Sequence, residues 1–550
     1  MLELTLVDAE NPFFSKVEQK YEGNYRDSLR AQKALASLSA ALHEEGFVAA
    51  SFDTIRRDSL KWEVDLFIGT KYNWFDIRDA NLAPGLSKAF HQTMGKGKPV
   101  NLNAYRVFIS DILEWYGNQG YPFAQIQWDS LRIHEKSISG ILKVEKGLQV
   151  RNGSLEMPGD DVIHPFFLRR FLAFQQGKPF HYSSVEDISF RLQQLEYLRQ
   201  TRPLQLELRE QEAALFLYLD DRPANQFDAI VGLSSGSENS NQLQFTGEAR
   251  LVLQNQLKRG EALNFFWKGM PGSSQRMNVG ISYPYLGRTP LSLKGQFQLY
   301  KQDTSFLNLK ARLGGIFDVS LFATAEIFYT YKDSRPIGTN NANLSEASYH
   351  LWGMAYHYQK MEQPLNPVSG FQLEVENQIG QRKFASVTAQ DSLNIENSDI
   401  HLEVATSLSW YFPVYRSFVF AFHHHGSWMH AFGENEQMYA ENELSRFGGS
   451  SLLRGFEEDA FYANSYTVNT AELRWVLNEL SAIFLFYDQA WYSTQLQGAK
   501  KEDTPYGFGL GGQIGMRNGL FTISYALGSQ QENPVDLQSG IIHIAYTARF

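Results

Sequence analysis

The pattern of apolar and polar residues changes near residue 224. Before that point, segments with apolar residues at helical spacing alternate with short strand-like segments. After it, apolar and polar residues alternate with a period of two, and no convincing helix follows. A period near 3.6 indicates an amphipathic helix and a period of two indicates a half-buried strand. The pattern therefore predicts an α+β region followed by an all-β region.

The α+β region repeats one unit. Amphipathic helices are predicted over residues 29–42, 105–117 and 184–198, at a period of roughly 75 residues that indicates repeated units. Gly97-Lys-Pro-Val100 and Gly177-Lys-Pro-Phe180 precede the second and third helices in the same way. We therefore predict small repeated domains over 1–72, 73–149 and 150–224, followed by one all-β domain over 225–550.

The all-β region predicts sixteen antiparallel strands. Every second connection is short, as at 412–416, whereas the alternate ones are longer and polar, as at 332–346, 381–398, 429–465 and 493–504. A bacterial transmembrane barrel with periplasmic turns and extracellular loops requires this alternation, and a soluble sandwich does not. The strands are expected to start near Phe227, Leu243, Leu263, Met277, Leu291, Phe306, Leu321, Ser348, Phe371, Ile400, Ser417, Tyr466, Ala482, Tyr506, Leu520 and Gly540.

The last predicted strand places alternate residues, Ile542 to Phe550, on one face and ends the chain on an aromatic residue. We interpret Tyr546 and Phe550 as a C-terminal strand signal and expect Ile544 and Tyr546 to face lipid. The alternative is an ordinary edge strand of a soluble sheet, which would leave an apolar edge open to aggregation.

Composition narrows the possible functions. A net charge of -10 without a run of Lys or Arg gives no support for nucleic-acid binding, and the lack of cysteine excludes disulfides, thiolate metal sites and a cysteine nucleophile. No stretch of eighteen apolar residues predicts a membrane helix. The mean hydropathy of -0.34 is compatible with a barrel, because the hydropathies of its apolar outer face and its polar inner face average to an ordinary value. The N-terminus lacks a signal-peptide pattern, so we expect any secretion signal to have been removed or to have been left out of this sequence.

The longest predicted loop, 429–465, contains Leu453-Arg454-Gly455-Phe456. This stretch resembles the Val/Ile-Arg-Gly-Tyr/Phe tip of the loop that folds back into the barrel in the superfamily of BamA, TamA and two-partner secretion transporters. Ala471-Glu472-Leu-Arg474 resembles that family's strand-twelve motif with its Glu. Phe486-Tyr-Asp488-Gln-Ala490 is similar to the family's Phe-x-Asp-x-Gly, with Ala490 in place of Gly. The segment 506–512 resembles the Gly-rich fourteenth strand, and the three repeats resemble POTRA domains.

Strand parity gives an independent reason to connect these motifs. Leu473, Trp475 and Leu477 form the apolar face of their strand, so Glu472 points into the lumen, and the same argument turns Asp488 inward. Two inward carboxylates bind a guanidinium well, and glycine beside it permits a tight turn. We therefore expect Arg454 to reach Asp488 or Glu472 and to anchor the loop. The alternative is a solvated arginine in an outer loop.

Other candidate sites are weaker. His423 and His425 share a strand face and His430 lies nearby, but their spacing is too wide for an easy tetrahedral metal pair. No nucleophile motif or Ser-His-Asp arrangement stands out. We therefore predict no catalytic residue, no metal and no cofactor. Tryptophans of the repeats are interpreted as core residues: Trp62, Trp74, Trp115 and Trp128.

The resemblance covers essentially the whole chain, and its implied layout is closest to TamA. It implies an outer-membrane protein of a Gram-negative bacterium that inserts or translocates other proteins without ATP, with its POTRA arm in the periplasm. The implied partners are membrane lipid, extended client proteins, and a periplasmic or inner-membrane protein docked on the arm. One alternative is a passive or substrate-specific channel. Another is a two-partner-type secretion pore, although the layout of those transporters is two POTRA domains plus a plug helix.

Overall fold

The computed structural model describes residues 2–7, 13–25, 28–58, 61–159, 161–235, 243–270, 274–338, 343–362, 365–385, 396–433, 439–496, 499–516, 519–531, 535–536 and 540–548. The helices in these ranges are α1 (Phe14–Tyr21), α2 (Ser28–Glu45), α3 (Pro84–Thr93), α4 (Leu102–Gly117), α5 (Pro165–Phe171) and α6 (Ser183–Gln193). No described helix combines the length and apolar character needed to cross a membrane.

The N-terminal strands are β1 (Leu2–Leu6), β2 (Ser51–Arg57), β3 (Trp62–Phe67), β4 (Asn73–Asp79), β5 (Gln125–His134), β6 (Ser137–Glu145), β7 (Arg151–Glu156), β8 (Leu198–Gln200), β9 (Gln205–Arg209), β10 (Glu212–Phe216) and β11 (Leu219–Asp221). The later strands are β12 (Gln226–Ser235), β13 (Leu243–Gln254), β14 (Ala262–Met270), β15 (Ser274–Tyr283), β16 (Leu291–Gln302), β17 (Phe306–Ser320), β18 (Ala323–Pro336), β19 (Ala347–Glu362), β20 (Ser369–Ala385), β21 (Glu396–Tyr415), β22 (Phe418–Phe432), β23 (Ser445–Phe447), β24 (Phe461–Ala463), β25 (Ser465–Asn478), β26 (Ser481–Leu496), β27 (Ala499–Asp503), β28 (Tyr506–Met516), β29 (Gly519–Ser529) and β30 (Ile541–Ala548).

The chain divides into two compact units. Residues 1–154, 175–186 and 206–215 form the first, and residues 155–174, 187–205 and 216–550 form the second. The first unit contains three-stranded sheets in the orders β1-β3-β2 and β4-β6-β5, and the sheet β7-β10-β9 follows the same plan. These small sheets are consistent with POTRA domains. The domain boundaries after residues 72, 149 and 224 remain predictions.

Each of the first two repeats has its own apolar core. Leu38 and Leu42 of α2 pack with Val64 of β3, and Ile112 of α4 packs with Leu142 of β6. The helical period places these side chains on the face that covers the sheet.

Two details of the repeats differ from the sequence-based expectation. The third predicted helix was too long, because α6 ends at Gln193 and the chain then turns into the short strand β8. Trp115 is exposed rather than buried, since the face of α4 that meets the core carries Phe108, Ile112 and Tyr116. The short helices α1, α3 and α5 were not predicted.

The second unit contains the predicted barrel. Its strands pair antiparallel with their neighbours in the order β12 to β22, then β25 to β30. Because β27 and β28 lie end to end against β26, they count as one strand, and sixteen strands form a nearly closed barrel. The fold class is therefore confirmed.

The alternation of side chains defines the two faces of the barrel wall. Leu473 and Trp475 are 44% and 47% exposed on the outer face, whereas Glu472 before them and Val476 after them are buried toward the lumen. Ile544 and Tyr546 of β30 are likewise exposed. An outward apolar band around an inward polar surface is the arrangement of a transmembrane barrel.

The strands are longer at the long-loop end than the sequence pattern predicted. Strands β18, β20, β22 and β26 continue to Pro336, Ala385, Phe432 and Leu496, into segments that were expected to be loops. The ladder Ala347↔Phe384 continues the pairing of β19 with β20 there. The extensions of β18, β20 and β26 carry polar residues on both faces, so the period of two that marks a membrane-spanning strand is lost there while backbone pairing persists.

At the short-turn end, α5 and α6 pack against the barrel turns. Phe167 of α5 lies 5.7 Å from the ring of Tyr285 in the β15–β16 turn. Phe190 of α6 lies 5.6 Å from Phe322 in the β17–β18 turn. The Nε2 atom of Gln194 donates a hydrogen bond of 2.8 Å to the carbonyl oxygen of Met361. Phe167, Phe190 and Gln194, which all belong to the second unit, thus contact three successive turns.

Candidate functional site in the barrel lumen

The connection between β22 and β25, residues 433–464, is here called loop 6. Its described residues 439–464 fold into the barrel. Leu453 is completely buried in a cluster with Phe447 and Phe461 of the same loop. Val468 of β25 and Ala490 of β26 complete this cluster from the barrel wall. Burial of apolar side chains against the inner wall holds the loop in the lumen.

Arg454 lies between two carboxylates of the wall. Its Nε and Nη2 atoms donate to the two oxygens of Asp488 at 2.8 and 2.6 Å, and Nη1 donates to Glu472 at 2.7 Å. Asp488 is fully buried and also accepts a hydrogen bond from the Thr470 hydroxyl at 2.7 Å. The guanidinium carbon lies 3.6 Å from the ring centroid of Phe486. A bidentate pair of this kind fixes both the position and the orientation of the loop tip.

The barrel register explains why these carboxylates converge. Thr470 pairs with Asp488 and Glu472 with Phe486 across β25 and β26, so all four side chains face the lumen. Glu472 and Asp488 are diagonal neighbours, and the planar guanidinium spans the distance between them. Arg474 donates to the second oxygen of Glu472 at 3.0 Å. Two arginines therefore balance two carboxylates in this buried cluster.

Glycines allow the loop tip to lie directly on the wall. Gly455 has φ of +90°, a conformation that other residues rarely adopt. A Cβ at Gly507 of β28 would overlap the carbonyl oxygen of Arg454, and a Cβ at Gly528 of β29 would overlap that of Gly455. Phe456 packs edge-on against Phe461 at 5.0 Å. The sequence signalled Gly507 through its Gly-rich segment but gave no signal for Gly528.

A second ionic contact of loop 6 was not predicted. Glu443 accepts bonds of 2.7 and 2.9 Å from Nε and Nη2 of Arg382 on β20, and Asp399 of β21 accepts one of 2.9 Å from Nη1. Tyr349 donates to Glu443 as well. Arg382 has no exposed surface. The only sequence signal was that Arg382 occupies one of the alternate strand positions whose side chains face the lumen. Loop 6 is therefore bound at two separate places on the wall, β20–β21 and β25–β26, which lie three strands apart.

The remaining sequence-based candidates lie elsewhere. Tyr546 is exposed on the outer face of β30, and Phe550 lies outside the described residues. His423 contacts the Ser409 hydroxyl at 3.0 Å, whereas His430 stacks on Trp428 at the outer face. Within the described ranges, no group of three or more His, Asp or Glu side chains is arranged to hold a metal ion.

This fold and site define a transmembrane β-barrel protein whose longest loop is bound inside its own lumen. The chain belongs to the Omp85 superfamily, because the Omp85 superfamily domain matches it over residues 255–542.

Two solved structures of CdiB show the same fold. CdiB from Escherichia coli is similar at 14% identity over 95% of this chain and 98% of its own, with a TM-score of 0.53. CdiB from Acinetobacter baumannii is similar at 12% identity over 99% and 100%, with a TM-score of 0.52. BamA from Haemophilus ducreyi lacking POTRA domains 1–3 has 16% identity over 87% and 100%, with a TM-score of 0.43. No curated protein matches the sequence.

Proposed function

We propose that this protein inserts or translocates other proteins at the outer membrane without ATP, taking them through the seam between β12 and β30. In this proposal the barrel lies in the outer membrane of a Gram-negative bacterium. The predicted POTRA arm, 1–224, extends into the periplasm and receives extended client segments. A periplasmic or inner-membrane partner docks on the same arm.

The seam is the observation that carries the proposal. The order of paired strands begins at β12 and ends at β30. These two strands approach within 8 Å between Cα atoms, yet among the described residues no ladder pair joins them. Strands that share no ladder bonds separate at low energetic cost, and each then offers unpaired N–H and C=O groups to a client strand.

Sheet edges in the predicted arm support client capture. In the two sheets of the first unit, β2 and β5 each pair on one side only. Most residues of both strands are exposed. An extended peptide adds to such an edge through main-chain hydrogen bonds, which recognise a strand rather than a sequence.

Loop 6 favours this proposal over a passive channel. The loop fills part of the lumen and is bound by ion pairs at Arg454 and Arg382. A permanently open pore needs an unobstructed lumen. We therefore expect the purified protein in planar lipid bilayers to lack a steady single-channel conductance, and a steady conductance would favour the channel.

A seam disulfide tests the proposal. The sequence has no cysteine, so an introduced pair contains the only thiols. Ala229 of β12 and Ile544 and Tyr546 of β30 all point outward, so Ala229→Cys is combined with Ile544→Cys or with Tyr546→Cys. The control is Ala229→Cys with Ala249→Cys, which face each other within the β12–β13 ladder.

The readout is the abundance of folded proteins in the outer membrane of cells that depend on the variant. We expect oxidised seam pairs to lower the levels of a subset of these proteins, and addition of a reducing agent to restore them. The control pair should have no effect. Normal outer-membrane composition with a fully oxidised seam would contradict lateral release through this seam.

A further inference from the structure

The described part of the turn between β19 and β20, residues 365–368, reaches into the short-turn end of the lumen. Asn366 in this turn has no exposed surface. Its Nδ2 atom donates to the carbonyl oxygens of Asn478 and Ser481 at 2.8 and 3.2 Å. Those residues flank the β25–β26 turn, and β21 and β22 lie between. With strands about 4.8 Å apart, the turn crosses roughly 14 Å instead of following the barrel rim.

Arg474 connects this turn with the tip of loop 6. Its Nη2 atom donates to Oδ1 of Asn366 at 2.9 Å, and its Nη1 atom donates to Oε2 of Glu472 at 3.0 Å. The other oxygen of Glu472 accepts from Arg454. Arg454, Glu472, Arg474 and Asn366 thus form a continuous chain of buried side chains. Breaking one link inside such a network leaves a neighbouring buried polar group unsatisfied, so its members respond to one another.

The end of β19, which leads into this turn, contacts α6 and the residue after it. The carbonyl oxygen of Met361 at the end of β19 accepts from Gln194, and Gln359 donates to the side chain of Gln194 at 3.3 Å. The Nζ atom of Lys360 lies 4.7 Å from the Phe322 ring centroid and 5.6 Å from that of Phe190 on α6. These contacts join the strand end that leads into the turn to residues 190–194 of the same compact unit.

We propose that Arg474 and Asn366 are positioning residues that couple the tip of loop 6 to the β19–β20 turn. With Arg454 in place, Glu472 gives one oxygen to each arginine. When Arg454 leaves, both oxygens are available to Arg474, whose Nε atom is buried without a hydrogen-bond partner. Arg474 then binds Glu472 with two donors and withdraws from Asn366, because a bidentate charged pair is stronger than a bond to an amide. The turn loses its anchor and opens this end of the lumen.

This inference rests on the proposed function and deepens it, because it makes release of the loop tip open the short-turn end of the lumen to a client. It also predicts that lysine cannot replace arginine at position 474. Arg474→Lys keeps the charge but has one compact ammonium group, which does not reproduce the two-sided fork of a guanidinium. The lysine variant is thus expected to fold and to be uncoupled.

Disulfide formation across the opening tests the coupling in the purified full-length protein. Leu365 and Glu479 line one groove there, so Leu365→Cys with Glu479→Cys forms a cross-link whose rate reports the position of the turn. We expect Arg454→Ala to change this rate by roughly fivefold or more, the scale of a typical coupling. Arg446→Ala, which removes a loop arginine outside the network, is the matched control. Heat-modifiable migration verifies that each barrel is folded.

The decisive comparison is made in the Arg474→Lys background. There Arg454→Ala should no longer alter the cross-linking rate. An unchanged cross-linking rate in the Arg454→Ala variant would overturn the coupling. The coupling would also be overturned if Arg446→Ala changed the rate as much as Arg454→Ala does, or if Arg454→Ala changed the rate equally in the Arg474→Lys background. This assay needs no client, so its outcome is independent of the proposed function. If coupling is found and the seam disulfide leaves outer-membrane proteins unchanged, the proposed function fails while the coupling stands.

Discussion

Removal of the Arg454 side chain is expected to destabilise the barrel through Asp488. In Arg454→Met, Asp488 stays fully buried and keeps only the Thr470 hydroxyl and the backbone N–H of residue 454 as donors. Glu472 is less affected because it retains Arg474. Breaking a buried ion pair from one side costs about 3–5 kcal/mol. Because one of the two carboxylates stays paired, we expect Arg454→Met to lower the free energy of unfolding by about 3 kcal/mol, the lower end of this range.

A double-mutant cycle isolates this interaction. If the cost of Arg454→Met arises from an unpaired carboxylate, Asp488→Asn removes the charge and should recover part of it. We expect the double variant to be more stable than the sum of the two single effects by at least about 1 kcal/mol, within the range for groups in direct contact. Arg446→Met is the control, since Arg446 and Glu441 lie 3.4 Å apart and remain partly accessible. This control substitution should lower the free energy of unfolding by less than about 1 kcal/mol.

The measurement is urea unfolding of the protein in phospholipid vesicles, followed by tryptophan fluorescence. Free energies of unfolding are compared at a fixed lipid-to-protein ratio. Additivity of the Arg454 and Asp488 substitutions within about 0.5 kcal/mol would refute the reasoning, because independent sites behave in that way. Equal destabilisation by Arg446→Met would show that the loop, not the ion pair, determines the effect.

Three further substitutions have distinct expected results. Gly507→Ala should displace the tip of loop 6 and make the loop more sensitive to added protease. Gly512→Ala is its control, because a Cβ there meets its nearest atom only at 3.9 Å; equal sensitivity of both would exclude the close contact. Trp475→Arg should lower the free energy of unfolding by about 2–4 kcal/mol if it lies near the membrane midplane, and no loss in vesicles would place it outside the apolar band. Arg382→Met should increase proteolysis within loop 6 by leaving Glu443 without its charged partner, and unaltered cleavage would show that this ion pair does not hold the loop.

The sequence alone determined the features that depend on local periodicity. Alternation with a period of two fixes which side chains share a face, so the inward direction of Glu472 and Asp488 and the outward direction of Trp475 were predictable. The long-short pattern of connections likewise indicated a barrel with sixteen strands. These predictions need only strand geometry, which neighbouring residues determine. Arg454 was recognisable as a partner through the resemblance of Leu453-Arg454-Gly455-Phe456 to a family motif, which the two inward carboxylates support.

Only the tertiary structure decided contacts between residues far apart in the chain. Arg382 and Glu443 are 61 positions apart, and Arg474 and Asn366 are 108 apart. Neither pair belongs to a periodic pattern, because each joins a strand to a connection whose path depends on how the barrel closes. The same reason explains the glycine contact at Gly528 and the strand extensions at the long-loop end. Local sequence sets the face on which a side chain lies, whereas the folded loops and turns determine what it meets there.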